Sequence, residues 1–294
     1  MKVTVCDVGP RDGLQNDATH LEPAVRAELV NRLAAAGVPR IETVSFVNPK
    51  RVPQMAGAEE VVAGIEREDG VVYAGLALNE QGYDRLLATG LDEVHYAFAA
   101  TETFNQRNSN ASVEESVQAA EQIVQRAHAD GIRATVTIGA SFGCPFEGAV
   151  DPGHVLELAG RLVTAGSDEI VFADTIGVGV PRQVRRLVRD GVSLGIPIGA
   201  HLHNTRNTGY ACAWAALEAG AGLLDASVGG LGGCPFSPNA TGNIATEDLV
   251  WQLERDGVRT GIAVAALVEI SRWLEGVLGR RLEGYLYRAA NWPA

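Results

Sequence analysis

The stretch Val3–Asn16, VTVCDVGPRDGLQN, decides the fold. Its first half is the β-branched, apolar run of a buried strand. The run breaks at Gly9-Pro10 and delivers Arg11 and Asp12 directly after the strand. Working outward, seven further runs of the same kind follow: Ile41–Phe46, Val71–Ala77, Glu93–Phe98, Ala134–Gly139, Glu169–Phe172, Ile198–His203 and Leu223–Val228. Helical stretches separate them, such as Pro23–Ala36 with Val25, Leu29 and Leu33 on one face, and Ser112–Ala129 with Val113, Val117, Ala120 and Val124. Ser112 with Glu115 makes a capping-box pattern, Pro181 stands where a first helical turn would begin, and Gly37, Gly131, Gly166 and Gly220 close helices. Strands alternating with helices at spacings of roughly 20 to 40 residues imply right-handed βαβ units. Eight such units point to a closed (β/α)8 TIM barrel, with an open doubly wound sheet as the alternative.

The chain's 294 residues fit one such barrel, so residues 1–294 read as a single catalytic domain with no linker or low-complexity break. After the eighth strand comes a Gly-rich loop, Val228–Asn243, placed to act as a lid, then helices near Thr246–Arg255 and Ile262–Leu278, the last an extra C-terminal helix. The tail from Leu282, with Tyr285, Tyr287 and Trp292, either packs on the barrel or joins an oligomer contact.

A composition of 46% hydrophobic and 20% charged residues supplies a large core and argues against disorder. The net charge of -12, with no compensating Lys/Arg cluster, makes nucleic acid an unfavourable partner. A phosphorylated small molecule stays allowed, since a few placed cations can hold one phosphate. Cys6, Cys144, Cys212 and Cys234 form no CxxC pair, which fits a reducing cytoplasm and neither a zinc knuckle nor a disulfide framework. No signal-like start or membrane-length apolar run is read, so secretion and membrane insertion are not expected.

Barrel enzymes carry their chemistry at the C-terminal ends of strands, and polar residues gather there. Arg11 and Asp12 follow the first strand, Glu42 lies in the second, and the sixth runs into Asp174 and Thr175. The seventh ends in HLH, whose alternation sends His201 and His203 to one side. Two imidazoles, an Asp and one or two neutral oxygens suit a divalent cation with positions open for substrate. Each residue alone also has an ordinary account: a hydrogen-bonded core histidine, a surface ion pair at Arg11 and Asp12, a buried carboxylate tied to a cation at Glu42 or Asp174. Convergence on one rim is what separates a site from these accounts. The segment SFGCPFEG, Ser141–Gly148, reads as a rim turn rather than a second centre.

Taken together, VGPRDGLQN, IETVSFVNPKRVPQMAG, SFGCPFEG, ADTIGVG and GGLGGCPFSPNATGNIATEDLV resemble the 3-hydroxy-3-methylglutaryl-CoA lyase family over about Val3–Arg259. The resemblance implies that Asp12, His201, His203 and Asn243 bind Mg2+ or Mn2+. It implies that Arg11 stabilises the enolate oxygen of the leaving acetyl-CoA, that Glu42 and Asp174 lie in the active site, and that Cys234 on the lid helps protonate the product carbanion. Cleavage of the C2–C3 bond leaves electrons on a thioester enolate, so a fixed cation beside that oxygen makes chemical sense. The C3 hydroxyl must also lose a proton, with His201 or Asp12 as candidate bases. An acyl-CoA substrate and a homodimer follow from the same resemblance. The family's usual Asp after the second His is Asn204 here, with Arg206 and Asn207 nearby, and no Lys follows Gln15-Asn16. Lys50, Arg51, Arg107 and Arg206 are candidates for the charge that would meet the CoA phosphates. Citramalyl-CoA or a longer branched 3-hydroxyglutaryl-CoA, a Claisen-type synthase, or a catalytically silent barrel are the competing readings.

Overall fold

In the computed structural model, which describes residues 3–233 and 242–289, eight parallel strands close into a barrel in chain order. They are β1 (Thr4–Asp7), β2 (Arg40–Ser45), β3 (Val72–Leu76), β4 (Glu93–Ala99), β5 (Arg133–Gly139), β6 (Glu169–Asp174), β7 (Ile198–Leu202) and β8 (Leu223–Ala226). Closure is made by β1 on β8, with Thr4 opposite Leu223 and Asp7 opposite Ala226. The doubly wound alternative therefore falls, because an open sheet leaves two edges and here each strand pairs on both sides. A register shift between Glu42 and Val44 bends β2 near the barrel mouth.

Around the strands run α1 (Pro23–Ala35), α2 (Ala58–Ala63), α3 (Glu80–Thr89), α4 (Glu102–Ser109), α5 (Val113–Ala129), α6 (Pro152–Ala165), α7 (Pro181–Val192), α8 (Gly209–Glu218), α9 (Thr246–Arg255) and α10 (Val264–Leu278). Their starts follow the chemistry of the sequence. Ser112 accepts from the Glu115 amide while the Glu115 carboxylate accepts from the Ser112 amide, the reciprocal capping box. Pro181 opens α7, where a missing N–H costs nothing. Gly166 ends α6 at φ 99, a left-handed position where a side chain would be strained.

The main core fills the space between barrel and helices: Leu29 and Leu33 of α1 with Ile41 and Val44 of β2, and Val117 and Val124 of α5 beside Val94 and Val136. The barrel interior is different. A small apolar cluster of Cys6, Val8, Val171 and Leu223 occupies part of it. The first residues of four strands add a layer of charge, where Arg40 bonds Glu169 at 2.5 Å and Arg133 reaches both Glu93 and Glu169. Such a layer stands only if every ion is paired, because desolvating a lone charge is very costly.

The chain after β8 turns at Val228–Gly230. Cys234 and Trp292 lie outside the described residues. Leu282 and Tyr287 are buried, Leu282 against Gly229, while Tyr285 stays exposed. This stretch thus packs on the barrel.

Candidate active site

Arg11 and Asp12 sit on one π-type turn, Gly9–Gly13, that follows β1 directly. The turn is held close: a side chain on Gly13 would meet Ser227 Oγ at 2.7 Å and Leu231 Cβ at 2.9 Å. Beneath it Asp7 accepts from the amides of Gly9 and Val228 and from the Thr246 hydroxyl, tying β1 to the β8 end and to α9. This lattice fixes the turn over the barrel mouth.

Arg11 bridges two carboxylates. Its Nε donates to Glu42 Oε2 at 2.6 Å, and Nη1 donates to Asp12 Oδ1 at 2.8 Å. Burial alone would raise Glu42, yet the Arg11 guanidinium and then His95 hold it below the usual carboxylate range. Asp12 is likewise lowered to about 2 against its burial, chiefly by Arg11 and the two histidines. Both acids are therefore anions at neutral pH.

Opposite them, β7 aims His201 and His203 at the same point, as their spacing requires. Their Nε2 atoms lie 3.1 Å apart, and His201 Nε2 is 3.9 Å from Asp12 Oδ2. On its far side His201 Nδ1 bonds Asp225 Oδ2 of β8 at 3.1 Å. Burial works against charge on His201, but Asp225 and Asp12 outweigh it and raise the ring. His203 falls to about 4 through burial and the neighbouring His201, so it keeps a free lone pair. One carboxylate oxygen and two ring nitrogens thus lie within 4.8 Å of one another.

This donor set passes a simple fit test for a divalent ion. Two imidazole nitrogens face each other at 3.1 Å beside an anion, an arrangement that suits a cation between them. Asp225 completes the pattern, since a carboxylate on the far nitrogen fixes ring and tautomer of a metal-binding histidine. Asn243, paired to His203 through an isolated backbone bridge, donates its side-chain amide to Asp12 Oδ2 at 2.8 Å and to the Leu231 carbonyl.

Of the residues expected from sequence, Arg11, Asp12, Glu42, His201 and His203 line one cavity of about 190 Å³, and Asn243 stands against Asp12. Asp174 does not join them. Its carboxylate accepts from the amides of Val178 and Gly179 while Ala173 and Thr175, on the opposite parity, face the cavity. Asp174 thereby anchors the loop after β6. Arg206, a candidate for the CoA phosphates, is spent on the carbonyls of Ile176 and Gly177. Arg107 stacks on Phe146 at 4.3 Å. The SFGCPFEG segment is a rim turn, closed by the Cys144–Gly148 bridge.

Asp225 and His95 are the site residues that the apolar patterns hid. Each is a single ionisable group inside a strand run, and only its inward parity marks it.

The HMGL-like family model matches residues 2–274. The chain is 45% identical to an (R)-citramalyl-CoA lyase of Chloroflexus aurantiacus, over 98% of this chain and 94% of that one. It is 42% identical to a 3-hydroxy-3-isohexenylglutaryl-CoA/hydroxy-methylglutaryl-CoA lyase of Pseudomonas aeruginosa, over 95% and 94%. Among solved structures it superposes on a hydroxymethylglutaryl-CoA lyase from Pseudomonas aeruginosa with TM-score 0.94 at 40% identity, covering 98% and 96% of the two chains. An HMG-CoA lyase from Acinetobacter baumannii, in complex with coenzyme A and 3-methylmalate, matches with TM-score 0.94 at 38% identity, covering 99% and 95%. A closed barrel, an acid and two histidines gathered at its mouth, and likeness along almost the whole length agree: the chain belongs to the HMGL-like family and is a carbon–carbon lyase.

Proposed function

We propose that this enzyme cleaves 3-hydroxy-3-methylglutaryl-CoA to acetyl-CoA and acetoacetate, with residues 1–294 acting as one catalytic unit. The observation that carries the reading is the placement of Arg11 and the Asp12–His201–His203 cluster around a single cavity. A retro-aldol cleavage needs both parts: a fixed cation where the thioester enolate develops, and a group that makes the C3 hydroxyl acidic.

Asp12, His201 and His203 would hold Mg2+ or Mn2+, with Asn243 as fourth donor once its amide turns its oxygen, in place of the nitrogen now on Asp12, toward the ion. Bound there, the ion would lower the pKa of the C3 hydroxyl and fix the substrate's carboxylate. Arg11 meets the thioester oxygen as charge gathers on it, and Glu42 sets the direction of that guanidinium. Asp12 is the remaining candidate base for the hydroxyl proton, because a His201 that gives Nε2 to the ion and holds Nδ1 against Asp225 keeps no free lone pair. Cys234 returns a proton to carbon. Asp174 acts at one remove, by shaping the 175–180 turn that presents Thr175 to the cavity.

A second reading has a specific observation behind it. The citramalyl-CoA lyase relative is as similar as those named for hydroxymethylglutaryl-CoA, and the enzyme that also takes an isohexenyl substituent is close behind. The substrate could therefore be a 3-hydroxyacyl-CoA with another group at C3. A panel of such esters with product identification tests both readings: acetyl-CoA release from the hydroxymethylglutaryl ester, dependent on Mg2+ and abolished by EDTA, supports the first. Release from the citramalyl ester alone, which yields pyruvate with acetyl-CoA, supports the second. No turnover of any ester would leave a silent barrel.

Among the described residues no helix is long and apolar enough to cross a membrane. The proposal places the enzyme in the cytoplasm as a homodimer, the first supported by three described cysteines that are all free thiols, the second to be checked by its mass in solution.

A further inference from the structure

We infer that His95 is a positioning residue for catalysis: from β4 its ring holds Glu42 Oε1 at 3.1 Å, which leaves Oε2 to fix Arg11 over the cavity. The inference rests on the lyase reading above, in which Arg11 meets the reacting oxygen, and it adds a residue that this reading does not use.

The geometry is a column of alternating charge running down the barrel from its mouth. Arg11 bonds Glu42, Glu42 bonds His95, and His95 Nε2 lies 3.5 Å from Glu93 Oε1. Glu93 then meets Arg40, and Arg40 meets Glu169. His95 is the central link, and it also lines the cavity. The groups that face it are Glu42 from β2 and Glu93 from its own strand, with Arg11 and Arg40 behind them and the Cys6 thiol of β1 in the same field. Burial works against a charged ring, but bonds to the two glutamates prevail and push His95 up to about 10. The ring is thus an imidazolium at neutral pH, and after Arg11 it is the second influence that keeps the buried Glu42 an anion.

What this does for the reaction follows from Arg11's double attachment. The guanidinium is pulled by Glu42 on one side and by Asp12 on the other. If Glu42 lost its charge, Arg11 would be drawn toward Asp12, away from the reacting oxygen and onto an anion the metal needs. Because Arg11 acts on charge that appears only in the transition state, an error in its direction lowers kcat more than it raises KM. A merely structural ion pair would alter stability and leave kcat of the folded enzyme alone.

His95→Gln separates these outcomes, since glutamine keeps a donor for Glu42 without the charge. The expected result is a kcat about 10–100-fold lower, with KM for the ester within about threefold. Mg2+ affinity by calorimetry is expected within about threefold of the parent's, because no proposed ligand is touched. A folded His95→Gln enzyme with unchanged kcat overturns the inference, and so does a fall in kcat that merely tracks lost metal. If that variant does not fold, 15N NMR of the histidines in the unaltered protein at pH 8 decides: both ring nitrogens of His95 protonated supports the inference, a neutral ring overturns it. Failure of the lyase reading looks different, because the unaltered enzyme would then release acetyl-CoA from no ester at all.

Discussion

At the scale of single residues, Arg11 concentrates the chemistry, because its charge is permanent and its direction is fixed by bonds at 2.6 and 2.8 Å. Arg11→Ala is expected to lower kcat by about 10²–10³, the usual loss for one oxyanion donor, while KM changes little. Circular dichroism and metal titration should find the variant folded and metal-competent. A kcat equal to the parent's would take Arg11 out of the reaction. What the sequence disclosed at this scale depended on parity. His201 and His203 were legible because two equal residues one apart in a strand must face the same way. Asp174 lies off the cavity wall because Ala173 and Thr175 carry the inward parity of β6, which an apolar run read without its register does not disclose. His95 and Asp225 were passed over because a strand is recognised by its apolar neighbours, and a lone charge among them registers as an interruption.

At the scale of elements, strands and helices were legible nearly to the residue. Local chemistry sets their limits: Pro23 opens α1, the Ser112–Glu115 box opens α5, and α9 spans Thr246–Arg255 as its pattern requires. Ser112→Ala removes the acceptor for the Glu115 amide at an exposed helix end and is expected to cost about 1 kcal/mol. In thermal unfolding that is a fall in Tm of roughly 2–4 °C, with kcat unaffected. Less legible was how the elements after β8 are tied down, since that depends on buried acids meeting distant amides. Glu247 of α9 accepts from the Gly229 amide, and burial, then the charge of Asp248, pushes it up to about 8. Asp7 is pushed by burial to about 7 despite three hydrogen bonds. Both acids ionise later in the folded protein than in the unfolded chain, so the unfolded state binds fewer protons between about pH 4 and pH 8. Their contribution to stability is whole below that window and is lost as pH rises through it. A scan of Tm from pH 5 to 9 is expected to show this decline, and Glu247→Gln, which keeps the acceptor for Gly229, should flatten it by roughly 3–6 °C at the alkaline end. Parallel curves for parent and variant would contradict the assignment.

At the scale of the whole molecule, the barrel brings residues 12 and 203 to one point although most of the chain lies between them. Eight βα units were countable in the sequence, and closure followed from the count. The ionic interior did not, because no local pattern says which of many Arg and Glu residues turn inward. The metal proposal belongs to this scale too, since an ion that joins β1 to β7 should stabilise the folded barrel as a unit. At an ion concentration 100 times its Kd, linkage gives about 2.7 kcal/mol, which thermal shift would register as a Tm higher by several degrees. His203→Ala is expected to lose most of that increment while keeping the Tm measured in EDTA. An equal increment in parent and variant would remove His203 from the ligand set.

The paired charges inside the barrel also bear on how this protein can change over generations. Replacing Arg40 alone leaves Glu93 and Glu169 short of a counter-ion where water cannot help, a loss of about 3–5 kcal/mol for a buried pair. Mutations here are consequently coupled, tolerated in compensating sets and purged one by one. Descendants of this lineage should therefore inherit the inner wiring of the barrel nearly intact or exchange it in blocks, while the apolar shell outside it drifts a methyl group at a time.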